Sequence, residues 1–213
     1  MQREAFVVKE DPVIYLASRS PRRRELLRQI GINHFLVDVE VDEGRQSGEL
    51  PKAYVLRLAR EKAEVDIQLT SGTNQLPVLA ADTTVIVGGE LLGKPKNREM
   101  GLSMLRQLSG RTHEVYTGVA LGLHRIETDI CLSHVTFRTM SETEIEAYWA
   151  TGEPVDKAGG YAIQGLGAQF IKSLEGSYSG VMGLPLFETA ELLRRTGIEL
   201  SMVSIDNEKK EHD

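Results

Sequence analysis

The chain lacks most of the features that classify a protein at a glance. Its 213 residues include a single cysteine, so no internal disulfide can staple it; Cys131, in an apolar-alternating stretch with no catalytic partner beside it, reads as a plain buried thiol. No run of about 18 apolar residues and no leader-type start is present, so a cytoplasmic protein is expected. Cations are the minority, 25 Lys and Arg against 31 Asp and Glu, and a formal charge of −6 argues against a general binder of nucleic acid or anionic membrane. Neither G-x-x-x-x-G-K-[ST] nor a G-x-G-x-x-G after a strand occurs, which removes the commonest glycine-based phosphate and dinucleotide loops. His113, His124 and His134 share no metal-ligand spacing and read as surface or satisfied sheet residues. No repeat, linker or low-complexity tract divides the chain. With 41% hydrophobic residues it is expected to fold as one domain over 1–213, ending in a polar tail at 206–213.

Where cations do occur, they are oddly concentrated. The stretch VIYLASRSPRRRELL, residues 13–27, reads as a strand, a turn and a helix start. Residues 13–17 are β-prone, Ser20-Pro21 offers a hydroxyl cap followed by proline in the first turn, and Leu26, Leu27 and Ile30 make an apolar stripe that stops at Gly31. Arg22, Arg23 and Arg24 therefore occupy the first turn, where the helix dipole is already positive and cations are disfavoured. A bound polyanion would resolve the conflict. Free backbone amides, Ser18, Ser20 and guanidinium forks converging on one point make a phosphate-binding arrangement in which side chains grip more than glycine backbone does. The alternative is a solvated basic turn paired with surface acids.

Further along, charges fall where apolar residues are expected. FLVDVEVDEG, residues 35–44, alternates as a strand with Asp38, Glu40 and Asp42 on its wet face, while Glu43 joins the apolar parity of Val37, Val39 and Val41 at the strand end. Residues 51–66 form a helix whose apolar stripe, Val55, Leu58 and Ala59, continues into Lys62; that ammonium either snorkels out or meets an anion inside. In LPVLAADTTVIVGGELLGKP, residues 76–95, one carboxylate, Asp82, interrupts an apolar β run, which is costly unless it is paired or metal-bound. Gly88-Gly89 is a two-residue hairpin signal. If Val87 pairs with Glu90, the ladder sets Thr83 opposite Lys94, so an acid and a lysine meet at the strand ends, although an ideal ladder points Asp82 and Lys94 to opposite faces.

A helix over residues 97–110, capped by Asn97, two alternating strands at 115–123 and 129–140, and a capping box Ser141-x-x-Glu144 opening another helix follow. DKAGGYAIQGLGAQFI, residues 156–171, is glycine-dense; its backbone permits close approach of a flat ligand, and Gln164 has the donor and acceptor needed to read a base edge. A last amphipathic helix follows Pro185.

The ordered set LAS-x-SPRR (16–23), AREKA (59–63), AADT (81–84), GKP (93–95), DKAGGYAIQG (156–165) and GLPL (183–186) closely resembles the Maf-like nucleoside triphosphate pyrophosphatases, also described as septum-formation inhibitors. The likeness runs from about residue 13 to 197. It implies a mixed α/β fold with a long central sheet flanked by helices, two lobes with a cleft between them, and a homodimer. It also implies hydrolysis of a nucleoside triphosphate to monophosphate and diphosphate with a divalent metal such as Mg²⁺, Mn²⁺ or Co²⁺. By the same resemblance Asp82 is the proton acceptor and Glu43 its partner in holding metal or positioning water. Ser18, Arg23, Lys62 and Lys94 fall on phosphate-contacting positions, and Arg22, Thr83 and Gln164 on positions that set base choice. The Tyr-x-Ile-Gln-Gly form is similar to the branch acting on dTTP and UTP; a 7-methyl-GTP pyrophosphatase and a nucleotide-binding regulator without turnover are the alternatives. Arg19 departs from the family pattern, which has a small or uncharged residue there.

Overall fold

The computed structural model describes residues 12–70 and 76–198; the expected polar tail lies outside them. Among the described residues one mixed seven-stranded sheet has six strands in the order β2-β1-β3-β5-β6-β7, and the seventh, β4, pairs with β3 off that path. Its strands are β1 (Ile14–Ala17), β2 (His34–Val37), β3 (Val78–Val87), β4 (Glu90–Leu92), β5 (Thr112–Gly122), β6 (Ile126–Phe137) and β7 (Ile171–Glu175). The short β1 is buried on nearly every residue because parallel strands flank it on both sides. From β3 onward the pairing is antiparallel, and Gly88 and Gly89, both in the left-handed region, close the β3–β4 hairpin with Val87 opposite Glu90.

Six α-helices among the described residues cover the sheet: α1 (Pro21–Gln29), α2 (Pro51–Thr70), α3 (Arg98–Leu108), α4 (Glu142–Ala150), α5 (Tyr178–Met182) and α6 (Leu186–Arg195). Alternation along β3 divides them. Val78 and Ala80 point toward α2, where Ala59, Ala63 and Ala120 pack, and Val55 and Leu58 continue that face. Leu79, Ala81, Val85 and Val87 point the other way, into the larger core with Leu26 and Leu27 of α1, Leu105 and Leu108 of α3, Ile145 of α4 and Leu192 of α6. The small residues under α2 let it lie close: a Cβ at Gly118 of β5 would stand 2.7 Å from the Val55 carbonyl oxygen.

One edge of β3 is shared by two strands. β1 pairs with it as far as Ala17 opposite Ala80, and β4 joins only where Leu92 meets Val85. Ala81 to Thr84 thus have a described strand on the β5 side alone. The chain leaving β1 turns into α1 at that gap, so the carboxyl end of a parallel strand and a helix start face the interrupted edge, the usual place for a ligand crevice in such sheets.

Three expectations are corrected. The strand expected over 35–44 ends at Val37, because β2 is paired with β1 and β1 stops at Ala17, opposite Val37. Asp38, Glu40 and Asp42 are nevertheless exposed. Ser20 stands at the cap of α1 in extended conformation, but its side chain makes no cap bond; its amide instead donates to Ser18 Oγ at 3.2 Å. His113 is a sheet residue, yet neither on the surface nor fully satisfied: it is buried, Nε2 meets the Tyr161 hydroxyl at 2.8 Å, and Nδ1 has no partner among the described residues. The expected caps of α3 at Asn97 and of α4 at Ser141, the latter a full capping box, are present, and Cys131 is a buried free thiol whose burial raises its pKa.

His113, Phe137 and Tyr161 form an edge-to-face cluster with ring centroids 4.9–5.3 Å apart. Burial pushes the His113 imidazole down to about 4. An unfolded histidine titrates near 6.5. Between these values only the unfolded chain takes up the proton, so this contribution is fully present above about 6.5 and is lost as pH falls toward 4. Denaturant titrations from pH 7 to 4.5 should show wild type losing stability more steeply than His113→Phe, by at most about 1.4 kcal/mol per pH unit; parallel slopes would refute this assignment.

Candidate functional site

The gap in the β3 edge opens into a cleft of about 970 Å³. Its walls come from the β1–α1 turn, the segment after β2, α2, the middle of β3, the loop before α3, residues 156–164 and the α5–α6 turn. Ser18, Arg22, Arg23, Glu43, Lys62, Asp82, Thr83, Lys94 and Gln164 all line it, so the basic helix mouth and the interior carboxylate face one space.

Asp82 sits opposite Gly118 in the ladder and shares its side of the sheet, under α2. Of the two fates open to Lys62, the structure adopts the inner one. It is 9% exposed, and Nζ donates to Asp82 Oδ1 at 2.7 Å and to Glu43 Oε1 at 2.8 Å. Helical periodicity along α2 produces this: Lys62 follows Val55, Leu58 and Ala59 on the buried stripe, about one turn past the last of them. The pair expected at the hairpin ends is therefore different. The β3–β4 ladder stops at Leu92, Lys94 is 60% exposed, and its Nζ stands 3.9 Å from Glu43 Oε2. The lysine bonded to Asp82 comes from the helix, while Lys94 meets the other acid.

Environment separates the two carboxyls that share Lys62. Burial pushes Asp82 above the ordinary carboxylate value, and the charges of Lys62 and Arg23 pull it back only in part, although flanking cations alone would favour ionisation. Burial also acts on Glu43, but it is half-exposed, and there the bond and charge of Lys62, with Lys94 and Arg23, win and hold it below the usual range.

The arginines are held as well as aimed. Arg23 Nε donates to the Gly183 carbonyl at 2.6 Å, and its other nitrogens lie 3.3 Å from Ser18 Oγ and 3.4 Å from Thr83 Oγ1. Arg22 Nε reaches the Met182 carbonyl at 3.4 Å. Both forks thus bind the carbonyl end of α5, a contact the sequence did not suggest because 160 residues separate the partners. Thr83 and Thr117 hydroxyls lie 3.0 Å apart, and Thr117 donates to the Gly180 carbonyl at 2.8 Å. Arg19 pairs with Asp38 and, at 2.8 Å, with Glu40, on the exposed rim.

Sequence reading missed the residues that hold Glu43 in place. Tyr54 Oη donates to the Glu43 carbonyl at 2.9 Å, and Arg57 binds Glu49 through two nitrogens at 2.7 and 2.9 Å while reaching the Gly44 carbonyl at 3.0 Å. The only available signal was Tyr54 on the stripe that ends at Lys62. Asp156, on the cleft wall, has φ 60, a conformation costly for a side-chain-bearing residue.

No group of three or more His, Cys, Asp and Glu able to hold a metal occurs among the described residues. Glu43 and Asp82 nevertheless bracket one ammonium. Two hard carboxylates suit Mg²⁺ or Mn²⁺, which take their remaining ligands from phosphate and water, and do not suit a metal demanding a closed protein cage. No helix among the described residues is long and apolar enough to cross a membrane.

Residues 13–196 match the Maf-like protein family. A dTTP/UTP pyrophosphatase of Alkalilimnicola ehrlichii is 58% identical over 185 residues, covering 85% of this chain and 92% of that protein. Proteins of the same name from Methylobacillus flagellatus and Myxococcus xanthus are 52% and 51% identical, covering 88% and 90% of this chain and 94% and 96% of theirs. A solved nucleoside-triphosphatase / dITP/XTP pyrophosphatase from Mycobacterium abscessus aligns at 17% identity with a TM-score of 0.37 over 58% of this chain and 73% of that one, too loosely to bear on fold or function.

Replacing Lys62 by Met would leave a buried carboxylate without its cation. Equilibrium unfolding should show a loss of about 3 kcal/mol, and adding Asp82→Asn should recover most of it. Additive losses in the double variant would mean that the two side chains are not coupled.

Proposed function

The chain belongs to the Maf-like protein family, and from that premise we propose that it hydrolyses dTTP and UTP to the monophosphate and diphosphate. The observation that carries this reading is the meeting, in one cleft, of four cationic side chains with a buried carboxylate on the interrupted strand edge. The names of relatives 51–58% identical over most of the chain support the substrate class.

In this reading Arg22, Arg23, Lys62 and Lys94 clamp the triphosphate with Ser18. Their forks and ammonium groups neutralise charge that spreads over the phosphate oxygens in the transition state. Water attacks the α-phosphorus, Asp82 takes its proton, the bond from the α-phosphorus to the bridging oxygen breaks, and diphosphate leaves. A raised but ionisable carboxyl suits that task, since a stronger acid would be a poorer base. Lys62 fixes the Asp82 carboxylate through Oδ1 and thereby the face it presents to water. Glu43 and Asp82 would hold a divalent cation, which when bound polarises the α-phosphate. Thr83 and Arg22, which line the same cleft, would help set base choice, and Gln164, exposed on the cleft wall, would pair with the pyrimidine edge.

Diphosphate release measured over a panel of triphosphates with Mg²⁺ or Mn²⁺ should be fastest with dTTP and UTP. Asp82→Asn should lower kcat by about 10²- to 10⁴-fold. Nucleotide binding without release from any substrate would defeat the enzyme reading; 7-methyl-GTP as best substrate would defeat the base assignment.

A further inference from the structure

Gln164 stands on a loop between two 3₁₀ turns, Ala158–Gly160 and Leu166–Phe170, with no strand pairing of its own. What fixes that loop is a carboxylate behind it. Glu153, just past the end of α4, accepts the Leu166 amide on Oε2 at 2.8 Å and, on Oε1, the Gly167 amide at 2.8 Å and the Tyr148 hydroxyl at 2.7 Å. The Tyr148 oxygen in turn accepts the Ala162 amide at 3.1 Å. Backbone two residues before Gln164 and two and three residues after it is thus tied to a single phenol–carboxylate pair. Tyr148 is itself immobilised: it is 3% exposed and stacks edge-to-face on Phe170. The loop has been shaped around the pair, since Gly165 has φ +132 and a Cβ there would lie 2.3 Å from Glu153 Oε2.

We propose that Glu153 and Tyr148 are positioning residues for base recognition, a clasp outside the cleft lining that sets where Gln164 stands and so how well pyrimidine is told from purine. The proposal rests on the reading of Gln164 given above. The three donors to Glu153 are uncharged, and they serve two strands of one turn. A carboxylate accepts all three at once; an amide cannot, because its NH₂ would face an amide N–H or the phenol. Removing the clasp frees the Gln164 turn without touching Asp82, Lys62 or the arginines, which lie on β3, α2 and α1. Loss should therefore fall on discrimination and KM more than on the chemical step.

The test is steady-state kinetics on the full chain with UTP and GTP, comparing wild type, Glu153→Gln, Tyr148→Phe and Gln164→Ala, with thermal unfolding of each. Both clasp variants should raise KM for UTP about tenfold, keep kcat within about threefold, and narrow the UTP-over-GTP preference about tenfold. Tyr148→Phe keeps the ring packing and deletes one hydroxyl, so it decides the matter even if Glu153→Gln does not fold. An unchanged preference, including a uniform loss on both nucleotides, overturns the clasp and leaves a merely structural role. If Gln164→Ala also leaves the preference unchanged, the underlying assignment of base recognition fails; if it alone narrows the preference, only the clasp fails.

Discussion

The bond between Lys62 and Asp82 is the constraint on which the rest of the structure depends. A carboxylate in the middle of an apolar strand and an ammonium on the buried stripe of a helix are each untenable alone, because the desolvation of either charge costs several kcal/mol. At 2.7 Å they make one another possible. That contact requires α2 to lie close to the sheet, which explains the alanines at 59, 63, 80 and 120 and the glycine at 118. Beside Asp82, the change of partner along β3, from β1 to β4, leaves a gap in the strand edge.

The same gap explains why a protein of net charge −6 collects cations at one place. On the cleft wall six cations, Arg19, Arg22, Arg23, Lys62, Lys94 and Lys157, outnumber four acids, Glu40, Glu43, Asp82 and Asp156. With α1 presenting its amino end there as well, the cleft is an electropositive recess in an acidic molecule, which favours capture of a polyanion over binding along a nucleic-acid surface. Holding the guanidiniums on the carbonyls of Met182 and Gly183 orients them beforehand, so less side-chain freedom would be lost on binding phosphate in the proposed reading.

Much of this was legible in the sequence because it follows from periodicity. A single charge in an otherwise continuous apolar β run marks Asp82 as the anomaly in β3, and helical periodicity puts Lys62 on the buried stripe; the hairpin register at Val87 and Glu90 and the caps at Asn97 and Ser141 also follow from local rules. What periodicity could not supply was the partner. Extending the β3–β4 ladder matches Asp82 with Lys94, but that ladder stops at Leu92, and the partner of Asp82 is Lys62, 20 residues earlier in the chain and brought over by tertiary packing. The grip of Arg22 and Arg23 on the α5–α6 turn and the clasp of Arg57 on Glu49 escaped for the same reason. The strand over 35–44 was overextended because alternation reports which side is wet, not whether a neighbouring strand is there to pair with.

The division of labour between regular elements and loops follows from these contacts. Asp82, Lys62 and Arg23 stand on β3, α2 and α1, where backbone ladders fix them, and in the proposed mechanism these are the groups whose relative placement matters most. Glu43 and Gln164 stand on irregular segments, each secured by a charged side chain from outside the cleft: Arg57 with Glu49 for the first, Glu153 with Tyr148 for the second. A loop held by a few side-chain bonds can change its contents without disturbing the sheet. In the proposed reading, base preference can then vary among proteins of this architecture while the phosphate-handling frame stays fixed, provided that the residues behind the loop change along with those facing the ligand. On that reading a substitution at Gln164 alone would leave the Glu153 carboxylate dictating where the new side chain stands, so a switch in specificity would require the loop and its clasp to be altered together.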